Sequence, residues 1–178
     1  HQVILFAGKF IAKKRPLDLL QAFLRAQLPQ VSLLFVGSGP LEADLRSQAA
    51  SHPQVYFAPF QNQSMMPRTY AIADLFVLPS YGSGETWGLA VNEALCMAKP
   101  VLVSDYVGCA ADLVHSGRNG LIVPAGNVTA LTQALEQAFA DRAQLLQWGE
   151  AGRQLITQYS YQQATEGLKA ALTHLGLA

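Results

Sequence analysis

The sequence predicts an α/β domain built on a doubly wound, mostly parallel sheet that ends in a helical tail. Two observations carry this. Short apolar runs alternate with stretches of helical periodicity, and Gly or Pro punctuates nearly every change between them. Such alternation implies βαβ units with helices on both faces of the sheet, a Rossmann-like arrangement. The 178 residues contain no internal repeat and no low-complexity linker, so a single domain over 1–178 is expected.

Each element has its own warrant. Residues 3–7 read as a buried strand closed by Gly8. Pro16 suits the first position of a helix that carries Leu17, Leu20, Phe23 and Leu24 on one face. Val31–Val36 is a second strand, closed by Gly37-Ser38-Gly39-Pro40. Pro40 then suits the first turn of a helix over 41–50. Val55–Ala58 and Leu75–Leu78 are further short strands, with a helical piece over 67–73 between them. A Gly-rich loop over 80–84 leads into a helix over 87–97 and then the strand Val101–Ser104. Gly120–Val123 precedes a mainly helical stretch from Val128 onward.

Composition excludes several classes of function. Hydrophobic residues make up 51% of the chain and charged ones 13%, which rules out a disordered chain. Lys+Arg and Asp+Glu number 12 each, so the excess of cations that a nucleic-acid surface relies on is absent. No apolar run approaches the ~20 residues of a membrane span. Cys96 and Cys109 suit neither a disulfide framework nor a metal site, and read as reduced thiols in the cytosol. The chain opens at His1-Gln2-Val3 and enters a strand at once, as expected of a piece of a longer protein.

In sheets of this kind ligands bind at the carboxyl ends of the strands, here the loops 8–15, 37–40, 58–64, 79–86 and 105–109. The Gly37-x-Gly39 turn lacks the rest of a dinucleotide fingerprint: Glu42 holds the third glycine position and Tyr56 the place of the ribose-binding acid. It reads as a tight turn. Lys9, Lys13, Lys14 and Arg15 concentrate four cations in one loop, where they either neutralise a diphosphate or form a solvated turn. The strongest segment is Gly82-Ser83-Gly84-Glu85-Thr86-Trp87-Gly88-Leu89-Ala90-Val91-Asn92-Glu93. Thr86 suits a helix N-cap, which makes the amides of Trp87, Gly88 and Leu89 an anion-binding helix start. Glu93 sits in an otherwise apolar helix apart from Asn92, and its carboxylate needs donors such as sugar hydroxyls. Within one helix Glu85 and Glu93 would lie ~12 Å apart. That exceeds the ~5–9.5 Å between the carboxylates of a glycoside hydrolase and suits an extended donor. A capping acid with a salt-bridged helix acid is the bland alternative. Trp87 and Phe60 could flank a ligand or serve only as core and rim. His115 reads as surface, and no His is placed to complete a nucleophilic triad with Ser80 or Ser104. Asp112 reads as a ligand acceptor or a surface acid at a helix end.

Together these residues resemble the C-terminal domain of the retaining family 4 glycosyltransferases, which have the two-domain GT-B fold. The resemblance spans nearly the whole chain. It is carried by Glu-x7-Glu at Glu85 and Glu93, by Ala73-Asp74-Leu75-Phe76-Val77-Leu78-Pro79-Ser80 before it, and by Glu93-Ala94-Leu95 and Lys99-Pro100-Val101 after it. Asn119-Gly120-Leu121-Ile122-Val123 is similar to the family's late strand.

The resemblance implies that Glu85 contacts the transferred sugar and that Glu93 holds the ribose hydroxyls. It implies that the amides of Trp87, Gly88 and Leu89 meet sugar and phosphate oxygens. Lys9 and Lys14, in the loop opened by Gly8, would hold the diphosphate, and Phe60 and Gln61 would wall the base. The implied substrate is a nucleoside-diphosphate sugar such as a UDP-, GDP- or ADP-sugar, with no cofactor and no metal. Lys9 stands where Arg is usual, which loses a bidentate fork. Arg15 stands where Gly is usual, and Cys109 and Asp112 where a second Gly and a Glu are typical. The family's N-terminal acceptor domain is a further partner, without which these residues are expected to bind donor but not to turn over. A cytoplasmic location, peripheral to the membrane for the full-length protein, goes with this reading. A non-catalytic sugar-nucleotide sensor and a two-domain sugar-nucleotide epimerase are the alternatives.

Overall fold

The computed structural model describes residues 1–82 and 85–176; the part of the Gly-rich loop formed by Ser83 and Gly84 lies outside the described residues. Among those described, six strands form one sheet: β1 (Gln2–Ala7), β2 (Val31–Val36), β3 (Val55–Ala58), β4 (Leu75–Leu78), β5 (Val101–Ser104) and β6 (Gly120–Val123). All neighbours are parallel, in the order β3-β2-β1-β4-β5-β6. The central strands β1, β4 and β5 read as continuous apolar runs because both faces are covered.

The sheet has a core on each face. Ile4 and Phe6 of β1, with Leu33 and Phe35 of β2, face one way. They pack against α1 (Pro16–Ala26), α2 (Glu42–Ala49) and α6 (Val128–Phe139) through Leu19, Phe23, Leu45 and Leu135. Leu5 of β1, with Phe76 and Leu78 of β4, faces the other way, as the two-residue period of a strand requires. There the cover is α3 (Met66–Ala71), α4 (Leu89–Cys96), α5 (Ala110–Leu113) and α7 (Arg142–Ile156), through Tyr70, Val91, Leu95, Leu113 and Ile156. The last helix, α8 (Tyr161–His174), buries none of its residues.

The structure differs from the sequence reading at helix starts and in short helices. The helix expected over 41–50 begins at Glu42, so Pro40 precedes its cap residue Leu41 and does not lie in its first turn. The loop 8–15 contains a 3₁₀ turn, Ala12–Lys14. The bounds of the four-residue α5 were not anticipated, since four residues cannot display a helical period.

The strand order creates the site. β1 connects to β2 on one side, and the chain returns through β3 to place β4 on the other side of β1. α1 follows β1 onto one face and α4 follows β4 onto the opposite face. The loops leaving β1 and β4 therefore diverge, which opens a crevice at the carboxyl edge. At the other edge, the backbone amide of Val3 donates to Asp74 Oδ2 at 2.8 Å, and the Asp74 amide donates to the Val3 carbonyl at 2.8 Å. Asp74→Ala leaves a part-buried amide without its acceptor and is expected to cost about 1–2 kcal/mol. Calorimetry should show a Tm lowered by roughly 3–6 °C.

Candidate functional site

The crevice has two ends. At the first, the 3₁₀ turn presents Lys14, whose Nζ lies 2.6 Å from Glu85 Oε2. Ser80, the second residue after β4, donates its hydroxyl to the same carboxylate oxygen at 2.9 Å. The Ser80 carbonyl in turn accepts from Ser104 Oγ at the end of β5. The backbone joins the two loops as well, because the Tyr81 amide donates to the Lys13 carbonyl at 2.7 Å. Lys14 and Glu85 keep only 17% and 11% of their side-chain surface exposed, so the pair is held in place and not merely solvated.

Arg15 explains its own departure from Gly. Its backbone is left-handed, with φ 52°, a conformation that favours Gly. Its Nε donates to Asp18 Oδ2 at 2.8 Å, and its guanidinium lies over the Tyr81 ring at 5.5 Å. These contacts offset part of the strain.

At the second end lies a cleft of about 340 Å³. Gly8, Lys9, Phe60, Gln61 and Glu93 all line it, so the structure brings together five residues named from widely separated parts of the sequence. Phe60 stands at the rim, 72% exposed. Gln61 Nε2 donates to the Pro59 carbonyl at 3.1 Å within the exposed loop after β3. Ala90 and Glu93 come from one face of α4, three residues apart.

The cleft also contains residues the sequence reading missed. Ser38 enters from the Gly37-x-Gly39 turn, and Met66 and Tyr70 from α3. The turn itself is the tight strand-to-helix connection expected. It is bonded to the first loop, with the Gly8 amide donating to Val36 and the Phe10 amide to Ser38. Tyr70 donates its hydroxyl to Glu93 Oε2 at 2.7 Å. Burial, with the neighbouring Glu93 carboxylate adding to it, pushes the Tyr70 phenol far above its ordinary range, so it stays a proton donor. A Tyr on a short helix gave no sequence signal beyond its place in the apolar pattern.

Between the two ends, residues 85–88 correct one expectation. Thr86 is exposed and does not cap a helix; the cap residue is Gly88 and the first helical residue is Leu89. The cause is a second chain segment. The Gly108 amide donates to the Glu85 carbonyl at 3.1 Å and the Cys109 amide to the Trp87 carbonyl at 2.9 Å. The Trp87 carbonyl is thereby taken from a helix, and the chain turns at Gly88 with φ 97°. Gly88 is also packed tightly: a Cβ there would lie 2.8 Å from Val107 Cγ1. The helix-start amides are thus those of Gly88, Leu89 and Ala90, which have no preceding turn to bond to, and the Trp87 amide falls outside them. The Trp87 indole donates to Asn92 Oδ1 at 2.8 Å and packs on the core, which accounts for that side chain without a ligand.

The remaining candidates lie apart. Cys109 is buried beneath Gly88, and burial pushes its thiol up to about 12, so it packs as a neutral side chain. Asp112 is exposed on α5. His115 is exposed too, in a separate cleft with Arg118 and Gln154. No helix among the described residues is long and apolar enough to cross a membrane.

This architecture has known counterparts. Sulfoquinovosyl transferase SQD2 of Arabidopsis thaliana is 28% identical over 170 residues, 94% of this chain and 32% of that protein. Sucrose-phosphate synthase of Thermosynechococcus elongatus is 26% identical with a TM-score of 0.82, covering 98% of this chain and 45% of that one. HepE of Anabaena, solved in complex with UDP and glucose, has a TM-score of 0.80 over 94% of this chain and 48% of its own. At 22% identity the last likeness is one of fold. The chain spans less than half the length of each of these proteins. Residues 1–155 match the family model described as glycosyl transferases group 1. By that match over most of its length, the chain belongs to the glycosyl transferases group 1 family.

Proposed function

We propose that this chain binds the nucleoside-diphosphate-sugar donor of a retaining, metal-independent glycosyltransferase, and that a second domain supplies the acceptor. The observation that carries this reading is the placement of Lys14–Glu85 and of Glu93 on either side of one helix start, at the point where the strand order reverses. In this reading Glu93 accepts from the ribose hydroxyls, with the base between it and the wall formed by Phe60 and Gln61. The diphosphate spans the start of α4, near the amides of Gly88 and Leu89, with Lys9 and Lys14 neutralising it. Glu85 then holds hydroxyls of the sugar to be transferred.

The chemistry follows from the charges. As the bond between sugar and diphosphate breaks, negative charge grows on the departing diphosphate. Lys9, Lys14 and the positive end of α4 are aimed at that charge, and their attraction is greater in the transition state than in the bound donor. Those groups supply the positive charge, so the reading calls for no metal ion and no cofactor. The UDP and glucose bound to HepE, a protein of the same fold, lend support to a donor of this class.

Titration calorimetry with UDP, GDP, ADP and their glucose or mannose adducts tests the proposal. At least one nucleoside diphosphate is expected to bind, and Glu93→Ala should weaken it roughly tenfold by removing a charged acceptor. A chain that is folded by circular dichroism and binds none of them refutes the donor assignment.

A further inference from the structure

We propose that Tyr70 is a positioning residue, which fixes the Glu93 carboxylate so that its other oxygen faces the nucleotide's ribose hydroxyls; this rests on the reading of Glu93 given above. Tyr70 is 1% exposed, and its ring is held edge-on to Phe76 of β4 at 5.6 Å between centroids. The phenol therefore has one place to be, and its hydroxyl reaches Glu93 Oε2 at 2.7 Å. Glu93 is only partly buried and has three side-chain torsions, so without an anchor its carboxylate would sample several rotamers. Pinning Oε2 leaves Oε1 and one lone pair of Oε2 for ligand hydroxyls, which suits a vicinal diol.

A second contact ties α3 to the chain just beyond α4. Tyr70 sits on the short α3, and the carbonyl of the next residue, Ala71, accepts from Lys99 Nζ at 3.0 Å just beyond α4. Met66 on α3 and Gln63 just before it line the same cleft as Glu93. α3 therefore joins the segment carrying Phe60 and Gln61 to the helix carrying Glu93.

The test compares Tyr70→Phe with the parent protein against two probes that differ only at the ribose: UDP and 2′,3′-dideoxy-UDP, or the GDP or ADP pair if that base binds. Removing the hydroxyl is expected to weaken the ribonucleoside diphosphate roughly tenfold, as loss of a hydrogen bond to a charged group does. The dideoxy probe should change less than twofold. Equal weakening of both probes, or no weakening of either, overturns the proposal, because a structural role would not distinguish them. The within-variant ratio also holds if Tyr70→Phe lowers the folded fraction. Glu93→Ala separates the two levels. If it discriminates between the probes and Tyr70→Phe does not, the positioning role fails alone. If Glu93→Ala does not discriminate either, the ribose reading fails and the proposal with it.

Discussion

If Glu85 holds the transferred sugar as proposed, replacing it by Ala should reduce sugar transfer, assayed with the acceptor domain present, by roughly 10²–10³-fold, the scale on which single groups directed at a reacting centre act. Glu85 accepts from both Lys14 and Ser80, so the substitution does more than delete the proposed contact to the sugar. It leaves Lys14, only 17% exposed, without its counter-charge, free to shift toward the diphosphate. Affinity for a bare nucleoside diphosphate should therefore change little or rise slightly, while turnover collapses. Glu85→Gln keeps an acceptor for Ser80 but cannot pair with Lys14, and should lose nearly as much turnover. Single-turnover transfer assays with a saturating donor, set beside calorimetry with the nucleoside diphosphate, check both halves. Parallel losses in binding and turnover would place Glu85 in the diphosphate subsite instead.

The sequence disclosed the strands far better than the site's supports. Val31–Val36, Val101–Ser104 and Gly120–Val123 have the bounds read from the chain. Buried parallel strands are short apolar runs, and Gly or Pro closes several of them. The pairing of β1 with β4 was not legible, because it joins residues such as Ile4 and Leu75 that are distant in the chain. Sequence pattern thus located the loops but not the crevice between them. Glu93 and the loop cations stood out by being polar where their surroundings are apolar, or basic where basic residues are scarce. Tyr70 did not, and Ser80 was weighed only as a nucleophile, since the features that set them apart are a 2.7 Å and a 2.9 Å contact to carboxylates elsewhere. The start of α4 was misread for a related reason. Thr86 is a good cap residue in isolation, but the Cys109 amide takes the Trp87 carbonyl, which a helix capped at Thr86 would use.

Gly108 packs against the same segment, backbone to backbone. The Gly108 amide is bonded to the Glu85 carbonyl at 3.1 Å, and a Cβ on Gly108 would overlap the Thr86 carbonyl oxygen and lie 3.1 Å from Trp87 Cα. Both neighbours are backbone, so no side-chain rotation relieves the overlap; one of the two segments must move. Segment 85–88 is the one that carries Glu85 and leads into the first turn of α4. Gly108→Ala is therefore expected to destabilise the chain by about 3 kcal/mol, at the upper end of ordinary overpacking. For a chain of this size that corresponds to a Tm lowered by roughly 6–12 °C. Affinity for a nucleoside-diphosphate sugar should fall in the fraction that stays folded, because the helix-start amides and Glu85 are displaced together. Ala110→Gly provides the contrast. It lies two residues along, buried at the start of α5, and should cost roughly 1–2 kcal/mol through its lost buried methyl and freer backbone, without altering donor affinity. Differential scanning calorimetry and donor titration on the two variants decide the matter. Affinity losses that scale with the two losses of stability would mean that stability, and not the contact between Gly108 and residues 85–88, governs binding.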